Sequence, residues 1–320
     1  MPITCTEIQN QIKQQLATGE KLQIMGAGSR LSATQLTPLS LKSYCGIVDY
    51  QPSELVVTVK AGTTLVELQQ VLAEKNQMLS FEPPDFGGST IGGSYACGLS
   101  GSGQAFRANL RDCVLGIKLI NGLGKSLTFG GQMIKNVAGY DVARLLVGSY
   151  GQLAVITEIS LKVVPKVSET SYRLCLPVDE AIVLMNQWAG TSLPLSACAY
   201  YQDHFYYRLF GHHSKQSTVA IDNSIWQQLN PFQPPLATGD KLWRASVAST
   251  AVAIDNTVAI DHCGTRRWLV APEPPDIALM NEWHQGMPLG LENQHPQQIK
   301  LTQGLKQVFD PHAIFNTLVS

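Results

Sequence analysis

Four short stretches rich in glycine and serine stand in the first half of the chain, and they limit its possible folds more than any other feature. They span residues 26–30, 87–93, 100–103 and 148–151, and are named here the first to fourth glycine turns. Glycine lets backbone amides converge on an oxyanion because no side chain stands in the way. Four unrelated tight turns are one interpretation. Their number in one region favours a single long phosphorylated ligand.

The first glycine turn does not match the two common nucleotide-binding motifs. Gly26 and Gly28 begin a GxGxxG pattern, but Leu31 occupies the position of the third glycine. A helix with good periodicity does not follow it, and the sequence contains no GxxxxGK[ST] run. We therefore expect neither a dinucleotide-binding Rossmann unit nor a P-loop NTPase.

The hydrophobic pattern predicts mixed strands and helices with a change of texture after Pro165. In the first half, Thr64 and Glu67 form a capping-box pattern that predicts the start of a helix. The second half has fewer glycines and contains all seven histidines. Its predicted strands are 172–176, 199–210 and 266–271, and its predicted helices are 179–188, 277–283 and 298–309.

Composition excludes several classes of function. The 320 residues carry a formal net charge of -1 without a long run of one sign, so neither nucleic acid nor an anionic membrane surface is an expected partner. Apolar runs fall short of a membrane span. The seven cysteines form no CxxC, which argues against an iron–sulfur cluster or a metal site in this chain. We expect a cytoplasmic protein, with peripheral membrane contact only through a partner.

Several motifs occur together in a diagnostic order. After the first glycine turn come Glu82-Pro83-Pro84-Asp85, then Lys135-Asn136-Val137-Ala138-Gly139-Tyr140-Asp141, and then the run from Gly148 to Glu158. This order resembles the FAD-binding domain of the vanillyl-alcohol oxidase and p-cresol methylhydroxylase superfamily. Within it, the chain resembles the FAD-binding subunits of bacterial glycolate oxidases. Residues 264–269 and 308–316 resemble the same subunits more weakly.

The resemblance implies an α+β chain with two domains. A two-lobed FAD-binding domain of the p-cresol methylhydroxylase type would span residues 1–166, and a smaller α/β, FAD-linked oxidase-like domain would span 167–320. The first glycine turn would hold the pyrophosphate, and the second and third would continue toward the isoalloxazine. The implied FAD-binding residues are Gly26, Ala27, Gly28, Ser29, Arg30, Pro84, Gly88, Ser89, Thr90, Gly92, Gly93, Gly101, Ser102, Tyr140, Asp141, Gly148, Gly151 and Val155.

Some of these assignments have ordinary alternatives. Tyr140 and Asp141 lie near the flavin under the resemblance, or serve in packing and helix capping. Lys135 is a ligand contact or a solvated lysine. Some relatives attach FAD through a histidine, but none precedes His204 here, so we expect non-covalent FAD. A link through Cys97 is the less favoured alternative.

The second half carries no recognisable hydroxy-acid site. Oxidation of a 2-hydroxy acid requires a base for the hydroxyl proton and cations for the carboxylate. The His-x-Gly-Asp-Gly-Asn-x-His run of catalytic relatives is absent, and the histidines lack metal-ligand spacing. Arg266 and Arg267 could hold a carboxylate, or form an arginine pair on a strand surface. Catalytic residues are therefore not assigned.

The resemblance implies a role in glycolate catabolism. The chain would be the FAD-binding subunit of a glycolate oxidase (dehydrogenase) that converts glycolate to glyoxylate. A larger flavoprotein subunit, expected to hold the hydroxy-acid site, and an iron–sulfur subunit that takes the electrons would complete the hetero-complex. Two alternatives remain open at this point: a self-sufficient FAD-dependent oxidase of another alcohol or hydroxy acid, and a scaffold subunit with a degenerate nucleotide pocket.

Overall fold

A computed structural model of the chain describes residues 3–28, 36–132, 140–211, 219–277, 280–284, 287–289 and 296–315. The helices are α1 (Cys5–Thr18), α2 (Leu65–Glu74), α3 (Ile91–Cys97), α4 (Leu110–Cys113), α5 (Val142–Leu145), α6 (Val178–Ala189), α7 (Ile225–Leu229) and α8 (Pro296–Phe309). The first eight strands are β1 (Leu22–Met25), β2 (Thr37–Ser40), β3 (Ile47–Gln51), β4 (Val56–Lys60), β5 (Gln77–Leu79), β6 (Val114–Ile120), β7 (Ser126–Gly130) and β8 (Val155–Pro165). The later strands are β9 (Glu169–Cys175), β10 (Leu195–Tyr201), β11 (His204–Phe210), β12 (Val219–Ile221), β13 (Lys241–Ser246), β14 (Thr257–Asp261), β15 (Arg266–Ala271), β16 (Met280–His284) and β17 (Met287–Leu289).

The chain divides into two compact units. Unit 1 comprises Met1–Leu99, Asn109–Lys166 and Gln294–Ser320, and unit 2 comprises Ser100–Ala108 and Val167–Asn293. The units therefore differ from the predicted domains in two segments, because residues 100–108 group with the second half and 294–320 with the first. The functional assignment of residues 1–166 and 167–320 as two domains stays a prediction.

Unit 1 is built on an antiparallel sheet in the order β3-β4-β8-β6-β7, with β5 paired to β8. β8 lies between β4 and β6 and is buried along most of its length, as expected for a central strand. A separate parallel pair, β1 and β2, packs under α1. Ile8 and Ile12 of α1 contact a core that includes Leu22, Val155 and Phe315.

Helix caps in unit 1 follow the sequence signals. The predicted capping box at α2 is confirmed: the Glu67 amide donates to Thr64 Oγ1 over 3.1 Å, and the Glu67 carboxylate accepts from the Thr64 amide over 2.8 Å. Thr4 and Glu7 form the same box at α1, which ends at Gly19 with a φ of 75°. These pairs satisfy amides that the first helical turn leaves without partners.

In its described part, unit 2 contains a nine-stranded sheet in the order β12-β9-β11-β10-β14-β15-β13-β16-β17. Each neighbouring pair is antiparallel. α6 covers one face, where Ala181, Ile182 and Met185 pack against aromatic residues such as Phe205 and Tyr207. The combination of helices with antiparallel sheets agrees with the predicted α+β class.

Two predicted elements of unit 2 were wrong. Residues 199–210 form two strands, because Gln202 and Asp203 both have positive φ (49° and 58°) and make the two-residue hairpin loop between β10 and β11. Within the predicted helix 277–283, residues 280–283 belong instead to β16, which pairs with β13. Sheet pairing decides its structure, because a short apolar run is compatible with either element.

Candidate functional site

The first glycine turn follows directly from β1. A Cβ on Gly26 would lie 2.4 Å from Thr90 Oγ1, so only glycine allows this approach. Gly28 has a φ of 74°, a conformation that favours glycine. Among the described residues, none accepts a hydrogen bond from the amides of Ala27 or Gly28. Ser29, Arg30 and Lys135, also named from the sequence, lie outside the described residues.

The second glycine turn begins in a loop closed by Asp85. One oxygen of its carboxylate, Oδ1, accepts hydrogen bonds from the amides of Gly87 (3.0 Å) and Ser89 (2.9 Å). Ser89 Oγ in turn accepts from the Phe86 amide over 3.0 Å. The Gly88 amide has no acceptor among the described residues, and its φ is 81°. Sequence reasoning gave Asp85 no role, although an acidic residue two positions before a glycine is a known turn signal.

The rest of the second glycine turn is helical. Residues 91–93 form the first turn of α3, and Thr90 is its N-cap, with Thr90 Oγ1 accepting from the Gly93 amide over 3.1 Å. Gly92 donates to the Ala61 carbonyl over 2.8 Å, and a Cβ there would lie 2.7 Å from Ala61 Cβ. The expectation that 87–93 is a single turn is therefore corrected, because Thr90 supplies a cap that starts a helix.

The fourth glycine turn meets the other end of α3. The Gly148 amide donates to the Tyr95 carbonyl (3.1 Å), and the Tyr150 amide donates to the Ala96 carbonyl (2.8 Å). Gly151 faces Ile24 of β1, since a Cβ there would lie 3.4 Å from Ile24 Cβ. Unit 1 thus gathers the first, second and fourth glycine turns around α3 and the end of β1.

Two side chains of α3 are polar and buried. Tyr95 donates its hydroxyl to the Ala143 carbonyl over 2.6 Å, and burial raises the pKa of this phenol. Ser94 is 1% exposed, and its hydroxyl has no hydrogen-bond partner among the described residues. A buried hydroxyl without a partner is uncommon in native proteins.

Other residues named from the sequence lie elsewhere in unit 1. Tyr140 is 94% exposed, and Asp141 caps α5 by accepting from the Arg144 amide over 3.1 Å. Val155 is fully buried in the core beside α1. Pro84 is buried next to the Asp85 loop. Capping, one of the two roles considered for Asp141, is therefore observed.

The third glycine turn belongs to unit 2, and its predicted contact with the flavin stays a prediction. The Ser102 amide donates to Asn230 Oδ1 over 2.8 Å. A Cβ on Gly101 would lie 2.5 Å from the Asn230 side chain, so Gly101 is required for this packing. Further along the segment, Arg107 forms a buried ion pair with Glu169. Packing against Asn230 within unit 2 thus accounts for the glycine at position 101.

The two consecutive arginines of β15 are buried rather than on a strand surface. Arg266 is 7% exposed and forms a bidentate ion pair with Asp261, which also accepts from Trp268 Nε1. Arg267 is fully buried and donates to the Ala251 carbonyl over 2.9 Å. Burial lowers the pKa of Arg267 to about 10. Neither arginine is a solvated surface residue, so that alternative was wrong.

His262 lies beside this ion pair in a 3-10 helix. Its Nε2 lies 3.2 Å from the Ser100 carbonyl, within unit 2. Burial and the neighbouring Arg266 guanidinium lower the pKa of His262 to about 4, although Asp261 acts in the opposite direction. Of the residues that the structure describes, no cluster of three His, Cys, Asp or Glu side chains could hold a metal ion. No described helix is long and apolar enough to cross a membrane.

The first part of the chain is similar to a known FAD-binding family. The family model of the FAD binding domain matches residues 1–130. Glycolate oxidase subunit GlcE of Escherichia coli is 38% identical over 274 residues, which cover 81% of this chain and 78% of that protein. This chain belongs to the GlcE family. The sequence resemblance to FAD-binding subunits of glycolate oxidases is thereby confirmed.

More distant relatives of this GlcE family member are matched over shorter parts of their length. Glycolate oxidase subunit GlcD of Bacillus subtilis is 32% identical over 120 residues, covering 38% of this chain and 26% of GlcD. D-lactate dehydrogenase of Anaerostipes hadrus is 32% identical over 143 residues, covering 44% of this chain and 28% of the enzyme. The chain therefore spans less than a third of each of these two proteins.

The fold is shared with a solved enzyme structure. Alkyldihydroxyacetonephosphate synthase superposes with a TM-score of 0.65 at 14% identity, covering 97% of this chain and 73% of that chain. With the family match, this likeness confirms the predicted FAD-binding fold of the p-cresol methylhydroxylase type. FAD is the cofactor of this domain, and the chain is an FAD-dependent oxidoreductase by family.

Proposed function

We propose that this chain is the FAD-binding subunit of a glycolate oxidase, and that unit 1 holds FAD non-covalently at the three glycine turns around α3. The observation that carries the proposal is the set of amides at Ala27, Gly28 and Gly88 that lack acceptors among the described residues. Amides presented by glycine-rich loops donate hydrogen bonds to phosphate oxygens. Membership of the GlcE family supplies the redox context.

The residues present fit the pyrophosphate of FAD. The close approach of Gly26 to Thr90 brings the first turn against the cap of α3, where a side chain would close the space. The Asp85 carboxylate is occupied by the amides of Gly87 and Ser89, so it holds the loop and leaves the Gly88 amide available. The buried Ser94 hydroxyl offers a further donor.

Bound FAD would supply a two-electron redox centre, either for the oxidation of a 2-hydroxy acid or for relaying electrons from a second flavoprotein. The residues of unit 1 bind and orient it, and the glycine turns keep side chains away from its phosphates. The base that takes the hydroxyl proton is not assigned in this chain. The absent His-x-Gly-Asp-Gly-Asn-x-His run supports a hydroxy-acid site on a second, GlcD-like flavoprotein. An iron–sulfur subunit at the cytoplasmic face of the membrane would complete the assembly.

The test is a binding assay on the purified full chain with FAD, FMN and riboflavin. We expect a yellow protein that binds FAD more tightly than FMN, because only FAD carries the pyrophosphate. Acid precipitation is expected to release the flavin into the supernatant, as non-covalent binding requires. A colourless chain that does not bind added FAD would contradict the proposal. Co-purification with a second flavoprotein and an iron–sulfur protein from the native source tests the assembly separately.

A further inference from the structure

The end of the described chain forms part of the FAD-binding unit. The Leu22 amide of β1 donates to the Ile314 carbonyl over 2.7 Å, and Phe315 pairs with Leu22 in parallel. Ile314 and Phe315 are buried in the same core as Leu22 and Ile12. Residues 310–315 therefore flank the strand that leads into the first glycine turn.

Lys306 of α8 joins this end of the chain to the fourth glycine turn. Its ammonium donates to the Gln152 carbonyl over 2.6 Å and to the Phe315 carbonyl over 3.1 Å. Its Nζ also lies 2.6 Å from Asp310 Oδ2. Gln152 directly follows Gly151, the last residue of the fourth turn. One side chain with three donors thus contacts two acceptors of the segment 310–315 and one acceptor beside the fourth glycine turn.

Asp310 shapes the segment that Lys306 holds. Its fully buried carboxylate accepts from the Ile314 amide at Oδ1 (3.0 Å) and from the Phe315 amide at Oδ2 (2.9 Å). A Cβ on Gly122 would lie 2.3 Å from Asp310 Oδ1, and the Gly122 amide donates to the Phe309 carbonyl over 2.8 Å. Glycine at position 122 therefore allows the carboxylate to dock.

The contacts that Lys306 makes depend on the charge of its ammonium group. Burial lowers the pKa of its ammonium, and the adjacent Asp310 carboxylate partly offsets this effect. Charge-assisted hydrogen bonds are roughly twice as strong as neutral ones. Loss of the ammonium would leave two backbone carbonyls without this donor and the buried Asp310 carboxylate without its counter-charge, which is costly in a protein interior.

We propose that Lys306 is a positioning residue for the cofactor: with Asp310, it fixes β1 and the fourth glycine turn in the arrangement that binds FAD. The inference rests on the proposed function, since it concerns the same turns. It adds that a residue in α8, more than 150 positions later in the chain than the fourth turn, controls FAD affinity without touching the ligand itself. A purely structural contact would instead change stability alone.

The experiment compares full-chain variants at one temperature where each apoprotein is shown to be folded. Lys306→Gln removes the charge and keeps a donor, Lys306→Arg keeps the charge, and Lys300→Gln on exposed α8 surface is the matched control. FAD dissociation constants are measured by flavin fluorescence, alongside thermal unfolding of each apoprotein. We expect Lys306→Gln to raise the dissociation constant at least about tenfold, Lys306→Arg to recover part of the affinity, and Lys300→Gln to match the wild type.

The outcomes separate this inference from the proposed function. If the wild type does not bind FAD, both are overturned. If the wild type binds and folded Lys306→Gln binds equally well, only the positioning role is overturned. If Lys306→Gln does not fold, two other measurements decide. They are the FAD dissociation constant of Lys306→Arg and that of the wild type as the pH is raised through the alkaline range. Loss of FAD affinity as Lys306 deprotonates, while the apoprotein stays folded, supports the role, and constant affinity contradicts it.

Discussion

Gly92 is a residue of the candidate site at which a single added carbon would clash with the backbone of a neighbouring segment. A Cβ at this position would lie 2.7 Å from Ala61 Cβ and 2.8 Å from the Ala61 carbonyl oxygen, so α3 would have to move. Overpacking of this kind costs about 1–3 kcal/mol. We expect Gly92→Ala to lower the free energy of unfolding by that amount and to weaken FAD binding. Gly131→Ala is the control, because nothing lies within 4 Å of its Cβ position. Equal denaturant midpoints for the two variants would count against this account.

His262 is expected to make unit 2 sensitive to acid. Its pKa is about 4 in the folded chain against an ordinary value of 6.5, because burial and Arg266 oppose the charge. The unfolded chain takes up this proton as the pH falls below about 6.5, and the folded chain does so only near 4. The contribution of neutral His262 to the free energy of unfolding is therefore fully present above pH 6.5 and is lost as the pH falls toward 4. At about 1.4 kcal/mol per pKa unit, the loss reaches about 3 kcal/mol.

The matching experiment measures urea unfolding between pH 7 and 4 for the wild type and His262→Asn. Asparagine tolerates the left-handed backbone at this position, where φ is 49°. We expect the pH dependence over this window to be shallower in the variant by the amount given above. If the free energy of unfolding depends on pH in the same way in both proteins, a group other than His262 causes the acid sensitivity.

At the scale of elements, α3 connects capping to binding. Thr90→Ala removes the acceptor for the Gly93 amide and the hydroxyl that faces Gly26, whereas Thr90→Ser keeps the oxygen. Loss of an N-cap costs about 1 kcal/mol. Thr4→Ala removes the equivalent cap of α1 and serves as the control. We expect the two alanine variants to lose a similar free energy of unfolding. Only Thr90→Ala should bind FAD with a larger dissociation constant. Equal FAD affinity in the two variants would show that the cap of α3 does not contribute to FAD binding.

Elements with a local signal could be predicted from the sequence, and elements fixed by distant contacts could not. The Thr64 and Glu67 cap needs only neighbours along the chain, so the start of α2 is readable. β16 depends on pairing with β13, some 35 residues earlier, and its apolar run reads equally well as a helix. The first and second glycine turns were found from composition, but their meeting at Gly26 and Thr90 required the structure.

At the scale of the molecule, each unit is assembled from separated parts of the chain, which sequence reading does not reveal. Residues 100–108 look like part of the glycine-rich first half, yet Asn230 and Glu169 hold them in unit 2. Residues 294–320 follow the second half and group with unit 1. Hydrophobic periodicity is local and does not report such crossings. A single border at residue 166 therefore matches the change of unit in the middle of the chain, but it does not account for the return of residues 294–320 to unit 1.

This assembly predicts that the FAD-binding unit needs the end of the chain. Ile314 and Phe315 are buried against Leu22, and full burial of such side chains contributes about 1.5–3 kcal/mol each. A chain shortened at residue 293 would expose that core and leave the edge of β1 unpaired. We expect it to unfold at lower denaturant concentration than the full chain and to lose measurable FAD binding.

A synthetic peptide of residues 294–320 should restore both the denaturant midpoint and FAD binding. The same peptide with Lys306→Gln should restore the denaturant midpoint but only part of the FAD affinity. Full FAD affinity in the shortened chain without peptide would show that β1 and the glycine turns hold their arrangement unaided, because all other parts of unit 1 are present in that chain.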